Sequence, residues 1–264
     1  MAFLKIGEFV LHYVVEGAPE KPPLVFANAL GSDLRIWDAV VPLLAEQFKI
    51  VRYDKRGHGL SDSPEPPYTI NNLVQDLAGL LDALQIQQAV VCGISVGGLI
   101  AQGLTLAHPD RVRALVLCDT GARIGSTVSW EERIASVKAG GVKAWVKPSM
   151  ERWFSEAFRR NRIVDVAGYS NMLLRTTLEG YIGTSCALRD ADFTEEVARI
   201  RQPALVLCGD QDIATPPELG QELARRIRRG EFHAIKSSAH LPCIEQPEAV
   251  ADRMLGFFQE VHIV

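Results

Sequence analysis

Short apolar, β-branched runs alternate with segments of helical period along most of the chain, and that rhythm leaves few folds open. A chain that leaves a strand and crosses back through a helix re-enters the sheet pointing the same way, so the alternation predicts a mostly parallel sheet. The strands read as an opening hairpin over roughly 2–15, turning at Gly7, followed by 24–27, 50–53, 89–92, 114–117, 204–207 and 232–235. That makes eight. Near-continuous apolar character in the middle ones predicts helices on both faces of the sheet. Over 70–84, residues Leu73, Leu77, Leu80, Leu81 and Leu84 form one helical stripe, with Asn71 or Asn72 as the expected cap.

One interval breaks the rhythm. Over 122–190 there is no strand signal, only helical stretches punctuated by Gly140-Gly141, Pro148 and Gly168. It reads as a helical cap inserted into an α/β core formed by 1–121 and 191–264. The cap carries 11 Lys+Arg against 7 Asp+Glu while the remainder is net negative, which hints at an anionic substrate. Solvated helix faces account for the same count, since net charge carries no direction.

The chain's formal charge is only -4, without a basic stripe, so a small molecule is a better expected partner than nucleic acid or an anionic membrane. No apolar run approaches the ~20 residues that span a bilayer, and the first residues lack a signal-peptide layout, so a cytoplasmic location is expected. The five cysteines show no C-x-x-C spacing and sit in or beside apolar runs. Buried, reduced thiols and no metal site are expected.

Chemistry concentrates at Val90-Val91-Cys92-Gly93-Ile94-Ser95-Val96-Gly97-Gly98-Leu99, a strand running through G-x-S-x-G into a helix over 99–107. This resembles the nucleophile elbow of α/β-hydrolases. A serine on so sharp a turn leaves no room for side chains two residues away, and Gly93 and Gly97 supply none. The turn presents the hydroxyl above the carboxyl ends of the strands and aims the Val96 N–H where negative charge develops on a substrate oxygen. A dinucleotide-binding G-x-G-x-x-G is excluded because Ser95 replaces its second glycine.

A serine hydroxyl needs a base, and histidine has the suitable pKa. His12 and His233 lie inside strands, His108 just after the elbow helix, and His262 in the tail. Only His240 occupies a loop between the last strand and a helix starting near Pro247, with His58 in a Gly-flanked loop as its rival. The fold's order of serine, acid, histidine points to Asp212, which follows the strand ending Cys208-Gly209; Asp210 and Asp119 remain alternatives. A second backbone donor to the oxyanion is expected at Leu30, in the loop Asn28-Ala29-Leu30-Gly31-Ser32.

The stretch 52–61 (RYDKRGHGLS), the Pro67-Tyr68-Thr69-Ile70 helix entry, 118–125 (CDTGARIG), 130–134 (WEERI), Arg152-Trp153-Phe154 and 214–220 (ATPPELG) together resemble the 3-oxoadipate enol-lactonase family nearly end to end. The pieces A-R-I-G and W-x-x-R-I are the specific ones. The family's catalytic residues match Ser95, Asp212 and His240. Two departures concern pocket width: Val96 stands where Met is common, and Ala29 where the loop commonly reads N-S-L-G.

The resemblance implies a small anionic lactone as substrate, an acyl-enzyme on Ser95, an enolate leaving group that stays tethered, and no cofactor. It implies Arg133 as the cation for the substrate's acetate arm, with Trp130 and Trp153 as apolar walls. A carboxylesterase or haloperoxidase-like perhydrolase would share the same three catalytic residues. A ligand sensor built on the same scaffold could keep them too.

Overall fold

The computed structural model describes residues 1–264. Strands β1 (Ala2–Ile6), β2 (Phe9–Gly17), β3 (Pro23–Ala27), β4 (Lys49–Tyr53), β5 (Ala89–Ile94), β6 (Val112–Cys118), β7 (Ala204–Gly209) and β8 (Gly230–Ile235) form one sheet in the order β1-β2-β4-β3-β5-β6-β7-β8. The β1–β2 and β2–β4 pairs are antiparallel; all others are parallel. This is the mostly parallel, eight-stranded sheet expected from the strand rhythm, in the α/β-hydrolase arrangement that the elbow's resemblance implies. β5, β6 and β7 end to end contain almost nothing but buried residues, which is why their sequences run apolar without alternation.

Connections from β3 and from β5 depart in opposite directions along the sheet, so a crevice opens beyond the carboxyl ends of these two neighbours. The loop after β3 and the turn after β5 face each other across it.

Local chemistry corrects some expected boundaries. The crossover helix Ile70–Ala83 is capped by Thr69, whose hydroxyl accepts from the Asn72 N–H while the Asn72 side chain returns a bond to the Thr69 N–H. Asn72 is thus the third residue of a capping box and not the cap itself. The elbow helix begins at Val96, three residues before the expected start. Between β6 and β7 there are helices and no strand, but Gly168 lies inside the helix Ile163–Leu174, and Pro148 inside Val146–Trp153. Proline is tolerated there because N–H groups of a first helical turn have no intrahelical acceptor to lose. No helix is long and apolar enough to cross a membrane.

The joint between β5 and the helix Val96–Ala107 is the tightest place in the fold. Ser95 sits at φ 58°, ψ -121°, a backbone conformation that L-residues rarely adopt. A Cβ on Gly93 would lie 2.1 Å from the Gly97 carbonyl oxygen, and one on Gly97 would lie 2.1 Å from that of Ala27. The turn is closed from below by the Ser95 N–H donating to Cys118 O at 3.0 Å, and by the Thr120 hydroxyl donating to Ser95 O at 2.8 Å. Because Gly97 meets rigid strand backbone and not a flexible side chain, Gly97→Ala is expected to cost at least about 2 kcal/mol of stability. Urea denaturation checks this, and an unchanged midpoint would contradict the packing described.

Candidate active site

Ser95, His240 and Thr215 line one cavity of about 540 Å³ over the carboxyl edge of the sheet, together with Ala29 and Leu30 from the β3 loop. Asp212 lies behind His240, its Oδ2 2.8 Å from the ring Nδ1. Since a carboxylate can only accept, Nδ1 carries the proton and Nε2 is the free base nitrogen. The Ser95 hydroxyl and His240 share the cavity without a direct hydrogen bond, a spacing that such pairs often close only when substrate binds.

Asp212 is held from three sides. Its Oδ1 accepts from the Ala214 and Thr215 N–H groups at 2.7 and 3.1 Å, and its Oδ2 accepts the Thr215 hydroxyl at 2.6 Å. Burial alone would push this carboxyl up, but the His240 charge and the hydrogen bonds from His240 and Thr215 outweigh it and hold Asp212 below the ordinary carboxylate range. Of the alternative acids, Asp210 is exposed at the turn. Asp119 accepts from the Gly209 N–H at 2.9 Å, and its second oxygen has no partner. Burial and the neighbouring Asp212 charge push the Asp119 carboxyl well up.

Asp119, Cys208 and Asp212 bring potential ligand atoms within 4.8 Å of one another, a grouping that could hold a metal ion. Burial raises the Cys208 thiol and the Asp119 carboxyl, which disfavours the charged forms a cation would need, and a cation would also compete with His240 for Asp212.

The His240 loop is anchored by Glu245, which sequence reasoning passed over. Its carboxylate accepts from the Ala239 N–H at 2.7 Å, and from the Ser155 N–H and hydroxyl at 3.2 and 2.5 Å. One side chain therefore ties the residue before His240 to the start of the helix Glu156–Asn161. His58, the rival base, is elsewhere: its Nε2 accepts from the Gly31 N–H at 2.9 Å and its Nδ1 donates to Arg56 O at 3.0 Å. Burial, then the Lys55 charge, push its pKa well down, so the ring is neutral.

The two expected backbone donors, the N–H groups of Leu30 and Val96, have no acceptor within the protein. Leu30 lines the cavity, and Val96 is the first residue of the elbow helix.

The far wall of the cavity comes from the helical segment. Arg133, Trp130 and Trp153 are there, and so are Trp145, Ser149 and Arg152, which the sequence did not single out. The Arg133 guanidinium lies 5.1 Å from the Trp130 ring and 4.4 Å from the Trp145 ring, and its Nε donates to the Tyr181 hydroxyl at 2.8 Å. Arg152 stands 5.4 Å from the Trp145 ring. Neither arginine has a carboxylate partner, although several other arginines of this segment do. Burial and the Arg133 charge both lower the Arg152 pKa, as two like charges near one another do. The buried Ser149 hydroxyl beside them also has no partner.

This fold and site define the class. The chain belongs to the alpha/beta hydrolase family, whose sequence profile matches residues 24–253. That membership supports a hydrolase. It is 35% identical to 3-oxoadipate enol-lactonase 2 of Acinetobacter baylyi over 93% of this chain and 92% of that one. Among solved structures it is similar to the enol-lactonase from Burkholderia xenovorans LB400, with TM-score 0.95, 35% identity, and coverage of 98% and 100% of the two chains. It is also similar to a thermophilic esterase from Thermogutta terrifontis described as malate bound, with TM-score 0.94, 28% identity, and coverage of 99% and 100%.

Glu245→Ala would leave the Ala239 and Ser155 N–H groups without an acceptor, so a loss of about 2–4 kcal/mol in urea denaturation is expected. A midpoint equal to that of the wild type would remove Glu245 from the role of anchor.

Proposed function

We propose that this chain is a serine hydrolase that opens 3-oxoadipate enol-lactone to 3-oxoadipate in aromatic-compound breakdown. The observation that carries this reading is the Arg133–Arg152 pair, unpaired and facing the same cavity as Ser95 and His240. A lactone with an acetate arm presents an acyl carbon for the serine and a carboxylate for the arginines. The likeness to the Acinetobacter baylyi enol-lactonase supports the same substrate class. Residues 122–190 would then act as a cap over the core formed by 1–121 and 191–264.

In this mechanism His240 Nε2 takes the Ser95 proton as Oγ attacks the lactone carbonyl. Asp212 holds the imidazole in the productive tautomer and stabilises its cation. The carbonyl oxygen, now negative, receives the N–H groups of Leu30 and Val96. Collapse expels the ring oxygen as an enolate, which needs little acid assistance because it becomes a ketone by taking onto carbon the proton that His240 holds, leaving the imidazole neutral for the next step. The leaving group remains tethered through the acyl chain. Water activated by His240 then adds to the acyl carbon, Ser95 leaves with its proton restored, and one product departs. The substrate carboxylate spans Arg133 and Arg152, with Trp130, Trp145 and Trp153 covering the carbon skeleton. None of these steps calls on a cofactor.

Five buried free cysteines support a reducing compartment, and we place the enzyme in the cytoplasm. A general carboxylesterase is the second reading, favoured by the likeness to the Thermogutta terrifontis esterase. The two readings differ in how much the substrate's carboxylate matters.

Arg133→Met and Arg152→Met are each expected to lower kcat/KM for the enol-lactone by about 10- to 100-fold, the worth of a charge-assisted hydrogen bond. A neutral aryl ester should change by less than about threefold, because it makes no such bond. Equal losses on both substrates would favour the esterase. Binding of the lactone without turnover by the wild type would favour a sensor and sink the hydrolase.

A further inference from the structure

Lys55 is almost wholly enclosed, yet no carboxylate lies within ion-pairing distance of its ammonium. Its Nζ instead donates to Ala29 O at 2.6 Å and to Ser32 O at 3.1 Å. A buried charge without a counter-ion costs several kcal/mol, on the order of what one fold can spare, so its retention calls for a use. The use follows from which carbonyl it holds. Ala29 C=O and Leu30 N–H belong to one planar peptide, trans in this structure, so the two groups point in opposite directions. Lys55 grips the oxygen end from inside the protein, while Leu30, whose N–H is free, lines the cavity beside Ser95.

We propose that Lys55 is a positioning residue for the oxyanion site: its ammonium fixes the 29–32 loop and, through the Ala29–Leu30 peptide, polarises the Leu30 N–H toward developing negative charge. This rests on the serine-hydrolase reading above. A hydrogen bond to an amide oxygen draws electron density from the nitrogen, and donation by a charged group does so more strongly than by a neutral one. The stabilisation is larger for the oxyanion than for the neutral carbonyl, so it acts on kcat and not on ground-state binding. The loop is held from its other end as well, since His58 accepts the Gly31 N–H. Neutral His58 is required for that bond, and the adjacent Lys55 charge helps to keep it neutral.

A pH dependence follows. Asp54, Asp33 and His58 are the titratable groups that face Lys55, and Asp54 is itself paired with His12. Burial outweighs the two carboxylates and lowers the Lys55 pKa to about 7. The ammonium is present below that pH and lost as pH rises through it, so the polarisation fades on the alkaline side.

The test is Lys55→Met, compared with wild type and Ser95→Ala on p-nitrophenyl acetate, with phenylboronic acid as a mimic of the tetrahedral adduct. Loss of a whole oxyanion donor costs about 10²–10³ in kcat, so removal of the group behind one should cost about 10- to 50-fold. KM should stay within about twofold, boronate affinity should fall in step with kcat, and the alkaline limb of the wild-type profile should disappear. A role in folding alone would lower stability without separating kcat from KM. A kcat equal to wild type, or one that falls with an equal rise in KM and no change in boronate affinity, overturns the proposal. Absence of turnover by the wild type, or its persistence in Ser95→Ala, overturns instead the hydrolase reading and this proposal with it. If the Met variant does not fold, the wild-type profile decides: a kcat flat from about pH 6 to about 9.5 overturns the proposal, since burial of Lys55 places loss of its ammonium near pH 7, within that range.

Discussion

Everything at the site depends on one strained residue. Ser95 is held at positive φ by a strand that cannot bend and a helix that cannot back away, and three backbone segments meet there too closely for any Cβ. The strain fixes the direction of the hydroxyl before substrate arrives, and it places the first N–H of the elbow helix beside that hydroxyl. Positioning is thereby built into the fold and not imposed by binding. The crevice between the ends of β3 and β5 does the rest, because it sets the Leu30 loop opposite the elbow.

Around this point the structure spends much of its hydrogen bonding on loops. Asp212 is fixed by Thr215 and by two backbone N–H groups, the residue before His240 by Glu245, and the 29–32 loop by Lys55 and His58. Asp212, Lys55 and His58 are buried and Glu245 half-buried, and each pairs its polar atoms with loop backbone. The helical segment contributes differently. It brings cations and indole rings over the cavity, and the two arginines that line it, Arg133 and Arg152, have no carboxylate partner.

The sequence displayed the sheet almost completely, since buried parallel strands and amphipathic crossover helices write their periods directly into the residues. Ser95 was legible because G-x-S-x-G needs its glycines for steric reasons, and His240 because only one histidine followed the last strand in a loop. Chain order pointed to Asp212 but left Asp119 open, because both follow neighbouring strands; the 2.8 Å bond to His240 Nδ1 separates Asp212 from Asp119, which accepts from the Gly209 N–H instead. Arg133 was reached through resemblance, whereas Arg152 and Trp145 stayed hidden because helix-surface arginines and cap-core indoles have the same local pattern. Lys55 was invisible for a stronger reason. A lysine in a Gly-rich loop reads as solvated, and nothing in its neighbours says that the ammonium turns inward.

The central claim is that Ser95 becomes a nucleophile through His240 and Asp212. Its most direct measure is intact-protein and peptide mass spectrometry after reaction with a fluorophosphonate, followed as a rate. The account predicts a single adduct, located on Ser95, whose formation slows by at least about 10³-fold in His240→Ala, in keeping with loss of a catalytic base. An adduct at another residue, or on Ser95 at an undiminished rate without His240, would contradict it.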